Sequence, residues 1–298
     1  MSATWNRQIS ILFTDPNGVG FIDLSESAAS LNIGFTVERN LDTEPSTMTA
    51  TVHNLNRDTQ EKLSMVKGWT VELAAGYGNS PHPFYLGADS SDFEQNTNVI
   101  FKGSVRLVRH RREPPLLATD IEADDGGDAA GRFVSRHFPK GTTVGTVTKW
   151  LQEQSGLGAG NIAVFSEVGN TEALPNRIKN GMTIKGYVMD ELGDLARSRE
   201  VRVSSQNGEI VVLKPGVPLA GVPITEVSPE TGLIGYPYVD NEGILTLNHR
   251  LLPNVFPGSP VTVKSEFVNG DFVVERAVYS GSLWDQDFNV EIEGTAVV

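Results

Sequence analysis

Apolar and polar residues alternate with a period of two along much of the chain, and short helical stretches interrupt that rhythm. Residues 51–77 show both patterns. Thr51 and Val52 suit a strand by β-branching. Asn56 or Asp58 is placed to cap a short helix, because its side-chain oxygen accepts an otherwise orphaned backbone N–H. Gly68 can take the positive φ that stops the helix. Trp69, Val71, Leu73 and Ala75 then alternate with Thr70, Glu72 and Ala74, as in a half-buried strand.

The same alternation predicts strands at 8–13 and 20–24, flanking the Asp15-Pro16-Asn17-Gly18 turn. Further strands are predicted at 32–38, 47–54, 71–75, 99–109 and 116–123. Between them, 76–98 is a polar insertion, long for a structureless loop and expected to be a functional surface or arm. This first region closes near Gly126.

From about Asp128 the period changes. Val144, Val147 and Leu151 fall on one helical face, with Thr142 or Thr143 as cap and Gly156 as stop. Residues 157–181 read as loop with one short strand at 162–165. A second helix is predicted over 182–199, capped by Thr183, with Val188, Leu192 and Leu195 on one side. Strands at 201–205 and 209–213 form a hairpin across Gln206-Asn207-Gly208. A Pro/Gly-rich linker, 214–223, leads to strands at 244–248, 260–267, 272–279 and 288–293. Asn269-Gly270 is expected to be a hairpin turn.

The fold class implied is β-rich α+β, in three parts: 1–126, 127–215 and 216–298. The first and third parts share a rhythm. Asn54-Leu55 precedes a helix and then Gly68-Trp69-Thr70-Val71. Leu247-Asn248 precedes 251–257 and then Gly258-Ser259-Pro260-Val261. Arg106-Leu107-Val108 leads to Ile121-Glu122, as Arg276-Ala277-Val278 leads to Ile292-Glu293. His53 and His249 take matching places. This echo suggests a duplicated unit around an inserted module.

Composition sharpens the picture. The chain has 298 residues, 39% hydrophobic and 20% charged, enough for several cored parts of a globular protein. No run of 18 apolar residues is present, so no membrane-spanning helix is expected. No signal peptide is expected either. The absence of cysteine excludes disulfides, thiolate metal sites and cysteine nucleophiles. A net charge of −13 disfavours capture of nucleic acid, which rests on Lys and Arg neutralising phosphates.

Catalytic signatures are missing. The histidines (His53, His82, His110, His137 and His249) include no pair at helical i, i+4 spacing and no H-E-x-x-H. Asp120, Asp124, Asp125 and Asp128 could hold a hard cation, but they lack EF-hand spacing and its closing Glu, so capping and solvated charge are the better reading. Gly156-Leu157-Gly158-Ala159-Gly160 lacks the strand and helix of a dinucleotide loop. No nucleophile elbow or P-loop occurs. The basic cluster Arg106, Arg109, His110, Arg111 and Arg112 lacks interleaved aromatics and is expected to meet an acidic partner or a second copy of the chain. Catalytic, cofactor-binding and metal residues are therefore expected to be none.

The chain resembles baseplate hub proteins of contractile-tailed bacteriophages. The resemblance rests on Phe35-Thr36-Val37-Glu38, Val52-His53-Asn54-Leu55, a helix with Thr59 and Leu63, the run from Gly68 to Tyr77, Phe101-Lys102-Gly103, and Pro257-Gly258 entering a late strand. It implies two tube-like β-barrels flanking the α+β module. It also implies a homotrimer whose six barrels form a pseudo-sixfold ring between the hexameric tail tube protein and the trimeric central spike protein, with other baseplate proteins around it. DNA would pass through an acidic lumen without specific binding. The place would be the virion tail baseplate, assembled in the host cytoplasm, with no membrane anchor and no catalysis.

Three other readings remain at this point. One is another tail-tip or tube-initiator protein. A tail-tip cell-wall hydrolase would need a catalytic domain, and the middle part is small for one. A carbohydrate-binding adhesin would need surface aromatics, and the aromatics mostly sit at strand positions that read as core.

Overall fold

The computed structural model describes residues 7–18, 20–24, 31–77, 96–114, 116–167, 176–284 and 287–298. The first region begins with β1 (Arg7–Thr14) and β2 (Phe21–Asp23). The turn between them is the one expected: Gly18 has φ 71° and its N–H donates to the Asp15 carbonyl at 2.9 Å. Then come β3 (Ile33–Asn40), β4 (Thr47–His53), α1 (Arg57–Leu63), β5 (Thr70–Tyr77), β6 (Asn96–Glu113) and β7 (Leu116–Asp124). In β3 and β4 the buried residues Phe35, Val37, Met48, Ala50 and Val52 alternate with more exposed neighbours, which is the pleat acting on the sequence. Asn56 caps α1, its Oδ1 accepting from Thr59 N–H at 2.8 Å. Gly68 takes φ 82°, but α1 has already ended at Leu63, so Gly68 turns the chain into β5 instead of stopping the helix. Most of the 76–98 insertion lies outside the described residues.

The middle region contains β8 (Phe133–Phe138), α2 (Val144–Ser155), α3 (Val164–Glu167), β9 (Met182–Tyr187), α4 (Val188–Arg197), β10 (Arg202–Gln206) and β11 (Glu209–Leu213). Thr143 caps α2 and Gly156, at φ 76°, ends it. Two expectations are corrected. Residues 182–187 are a strand paired with β8, and the helix starts only at Val188, without a side-chain cap from Thr183. The short strand expected at 162–165 is a helical turn. The 206–208 hairpin is as expected, with Asn207 and Gly208 both at positive φ. The module has its own core, including Val147, Leu151, Phe165, Ile184, Val188, Leu192 and Val203.

The last region holds β12 (Thr225–Val227), β13 (Leu233–Val239), β14 (Ile244–Arg250), β15 (Pro260–Lys264), β16 (Asn269–Ser282) and β17 (Phe288–Ala296). The turn expected at Asn269-Gly270 lies earlier, where Ser265 N–H donates to Val268 O. Both residues already pair with β15.

The chain is β-rich, with a small α+β module between two β regions. The expectation of two barrels with separate cores is not met among the described residues. Thirteen strands form one open sheet in the order β13-β14-β17-β16-β3-β4-β7-β6-β5-β1-β2, with β15 and β12 attached at β16. β3 pairs antiparallel with β16, Val37 opposite Tyr279. One apolar core runs through both β regions, from Ile11 and Phe13 to Val290 and Ile292. The cause is the length of β16. β15 occupies one of its edges over 269–273, and the remainder of that same edge, 276–282, accepts β3.

Candidate functional site

The echo in the sequence is a duplicated fold. β3-β4-β7-β6-β5 in the first region and β13-β14-β17-β16-β15 in the last are neighbours in the same order. Both long strands carry a bulge at the corresponding step, at Arg106 in β6 and at Glu275 in β16. Two hydrogen bonds are repeated. Gly68 N–H donates to Val105 O while Val105 N–H donates to Trp69 O. Gly258 N–H donates to Val274 O while Val274 N–H donates to Ser259 O. The register aligns Val71 with Val261, Val105 with Val274 and Ile121 with Ile292.

That register corrects two details. Leu107, not Arg106, is the counterpart of Arg276, because each is the first paired residue after the bulge of its strand. His249 is the counterpart of Val52, not of His53. His249 is fully buried, and burial pushes its pKa down. Its Nδ1 lies 2.7 Å from Arg250 O and its Nε2 3.1 Å from Thr231 Oγ1, a structural role.

The Asp120–Asp128 cluster disperses. Asp120 pairs with Arg111 at 2.6 Å and Arg109 at 3.7 Å and accepts from Thr51. Burial opposes its ionisation, but these bonds win and its pKa is lowered. Asp124 and Asp128 both hold Arg106. Among the described residues no group of acidic or histidine side chains is arranged to hold a metal ion. Gly156–Gly160 is a helix stop and loop, as expected. The expected basic cluster thus spends part of its charge within the chain, while Arg109, His110, Arg111 and Arg112 stay exposed along β6.

Asp125 does something the sequence did not signal. It is 3% exposed and accepts from Ser46 N–H at 2.9 Å, Ser205 Oγ at 2.8 Å and Asn207 N–H at 3.3 Å. Burial raises its pKa to about 6 against these bonds and the nearby charge of Arg39. Arg39, itself buried, donates to Ile100 O at 3.2 Å and Gln206 Oε1 at 3.0 Å, and lies over the Phe256 ring. Burial lowers its pKa. β10 also reaches the second β region, Gln206 donating to Pro257 O and Arg202 pairing with Glu275 at 2.7 Å. Arg39, Asp125 and Gln206 therefore lock the middle module across both copies of the unit. A cleft of about 590 Å³ opens beside this lock, lined by Arg39, Gln206, Glu209, Leu219 and Phe256 among others. Among the described residues Glu209 is the one carboxylate in its lining.

The remaining surface of interest is made of strand edges. β13 ends the sheet and exposes Ile234, Tyr236, Tyr238 and Val239. The 107–113 stretch of β6 pairs with β7 alone among the described residues, since β5 begins at Thr70, opposite Ser104. Beside it Leu107, Leu116 and Leu117 are exposed. Apolar side chains on unpaired edges mark contact surfaces.

A family described as "Baseplate hub gp41" matches the chain over residues 21–294. No curated protein sequence matches it. Among solved structures, the chain is similar to the 43 kDa tail protein of prophage MuSo2 from Shewanella oneidensis. The TM-score is 0.63 at 9% identity, covering 97% of this chain and 98% of that one. It is also similar to a tail protein from Neisseria meningitidis MC58, with TM-score 0.60, 10% identity, and 97% and 96% covered. A third is the E. coli c3393 protein, described as a component of the type VI secretion system similar to T4 tail proteins gp27 and gp5. There the TM-score is 0.53 at 9% identity, with 90% and 73% covered. These likenesses bear on fold.

Proposed function

Because the chain belongs to the baseplate hub gp41 family, and so is a tail baseplate protein, we propose that three copies close into a ring that adapts a sixfold tail tube to a threefold spike. The duplicated unit carries this reading. Three chains with two alike units each present six units, the count that a hexameric tube end requires. Each unit serves as a tube-like element of that ring, and the middle module is the part without a copy.

The ring acts by pairing and not by catalysis. Tube protein, spike protein and other baseplate proteins are its partners, and DNA passes through without specific contacts. The net charge of −13 supports a lumen that repels phosphates. Assembly takes place in the host cytoplasm. Native mass measurement of the purified chain, alone and with its tube protein, tests the reading. A species of three chains is expected in at least the second case. A chain that stays single in both overturns it.

A further inference from the structure

The internal seam is a template for a contact between copies. β16 holds β17 on one edge and, on the other, β15 followed by β3. β6 holds β7 on one edge and, on the other, β5 over 96–104 and the Gly68-Trp69 turn at Val105, with no strand paired beyond that among the described residues. β3 lies between β4 and β16, whereas its counterpart β13 has β14 alone among the described residues. Each chain thus leaves open one edge of each kind that the seam joins, and the two are different surfaces. Contacts between unlike patches of identical chains generate a ring when the rotation closes.

The duplication also gives the register. At the seam Ser280 faces Thr36, Tyr279 faces Val37 and Val278 faces Glu38. Through the β7 and β17 pairings, Arg111, His110 and Arg109 are the counterparts of Ser280, Tyr279 and Val278. Through the β4 and β14 pairings, Tyr238 and Val239 are the counterparts of Thr36 and Val37. Asp240 follows as the counterpart of Glu38.

We infer that the outer edge of β13 of one copy pairs antiparallel with the open 107–113 stretch of β6 in the next, placing Tyr238 opposite Arg111, Val239 opposite His110 and Asp240 opposite Arg109. The inference rests on the trimeric reading above and specifies its joint. Charge agrees with it. Arg109, Arg111 and Arg112 line the β6 side, and Asp240 and Glu242, both exposed, line the end of β13 and its turn. In this register exposed Tyr238 and Tyr236 run toward the end of the β6–β7 hairpin that carries exposed Leu116 and Leu117.

The chain has no cysteine, so disulfide trapping is clean. The test variant is Arg111→Cys with Tyr238→Cys, oxidised under the conditions that give the native trimer. The control is Thr36→Cys with Ser280→Cys, the corresponding pair within one chain. The expected result is an intrachain bond in the control and, in the test variant, a covalent ladder that stops at three chains. Control bond and native trimer without the interchain ladder overturn the strand pairing and leave the trimeric hub standing. A chain that stays single, with or without tube protein, overturns both.

Discussion

The two copies of the repeated unit differ most where they meet something outside themselves. In the first, β4 leads into helix α1, and His110 of β6 reaches back to it, its Nε2 3.1 Å from Gln60 O. In the second the helix is gone. Tyr279, the counterpart of His110, is buried and bonds Val255 O in the segment that replaces the helix. Burial pushes the Tyr279 hydroxyl up to about 12, so it stays a donor at every ordinary pH. The fold therefore needs a bridge from the long strand to that connection, but not a particular side chain or a helix. The other difference is in β3 and β13. β3 ends in Arg39, which locks the middle module, while the corresponding residue of the second unit, Asn241, sits exposed in a turn. One copy has become the anchor of the chain, and the other keeps an open edge.

The sharpest way to break this comparison is to remove the anchor. Arg39→Ala strips the charge that faces buried Asp125 and leaves Gln206 without its donor. We expect a loss of about 1–3 kcal/mol in urea unfolding for each of the two buried acceptors left unpaired, Ile100 O and Gln206 Oε1. Asn241→Ala should stay within about 0.5 kcal/mol, as exposed substitutions do. Equal effects would mean that the two strands play equal parts.

Next in size is the pH dependence of the lock. Asp125 titrates at about 6 when folded, above its ordinary value of 3.8. Between these values the folded chain holds a proton that the unfolded chain has lost, so this group's contribution to stability falls as pH rises. The difference is on the order of 3 kcal/mol at one pKa unit per 1.36 kcal/mol. Asp125→Asn should remove that slope, so that the wild-type minus variant stability difference declines from pH 4 to pH 6.5. A flat difference would contradict it.

The smallest effect separates the paired glycines. Gly68 and Gly258 both need positive φ, at 82° and 97°. Alanine at 68 meets nothing within 4 Å and should cost about 1–2 kcal/mol from backbone strain. Alanine at 258 also meets Leu219 Cδ1 at 2.7 Å and Leu213 Cδ1 at 2.8 Å. Overpacking should add about 1–3 kcal/mol there. Thermal melts of the two variants give the comparison directly.

Much of the fold was legible because its signals are local. Strands with one buried face, such as β3, β4, β14 and β17, announce themselves by alternation. Asn207-Gly208, Gly18 and Gly156 mark turns and a helix stop by conformational need. β9 was read as helix because it runs into α4 without a break and buries only Ile184. β13 was missed because Gly235 and Pro237 interrupt it, and the β13–β14 pairing shifts register there. The candidate surface was half legible. The basic run of β6 was visible as charge, but an unpaired edge depends on which strands meet, and that is decided by partners far along the chain. The one-residue offset in the echo has the same origin, since cross-strand partners, not the likeness of Arg106-Leu107-Val108 to Arg276-Ala277-Val278, fix which residues correspond.

The seam also sets the order of events during synthesis. Val37 waits for Tyr279, more than two hundred residues later, before β3 has a neighbour on its second edge. Pairings so distant are slow to form, and an emerging chain leaves such edges exposed in the meantime. The first unit thus cannot be completed on the ribosome until β16 has emerged. β13 follows the first unit and the middle module, so the edge proposed to recruit another copy is made late. A chain cut short ahead of β13 has no hand to offer a neighbour, and only molecules that include β13 as well as β6 carry both halves of the joint.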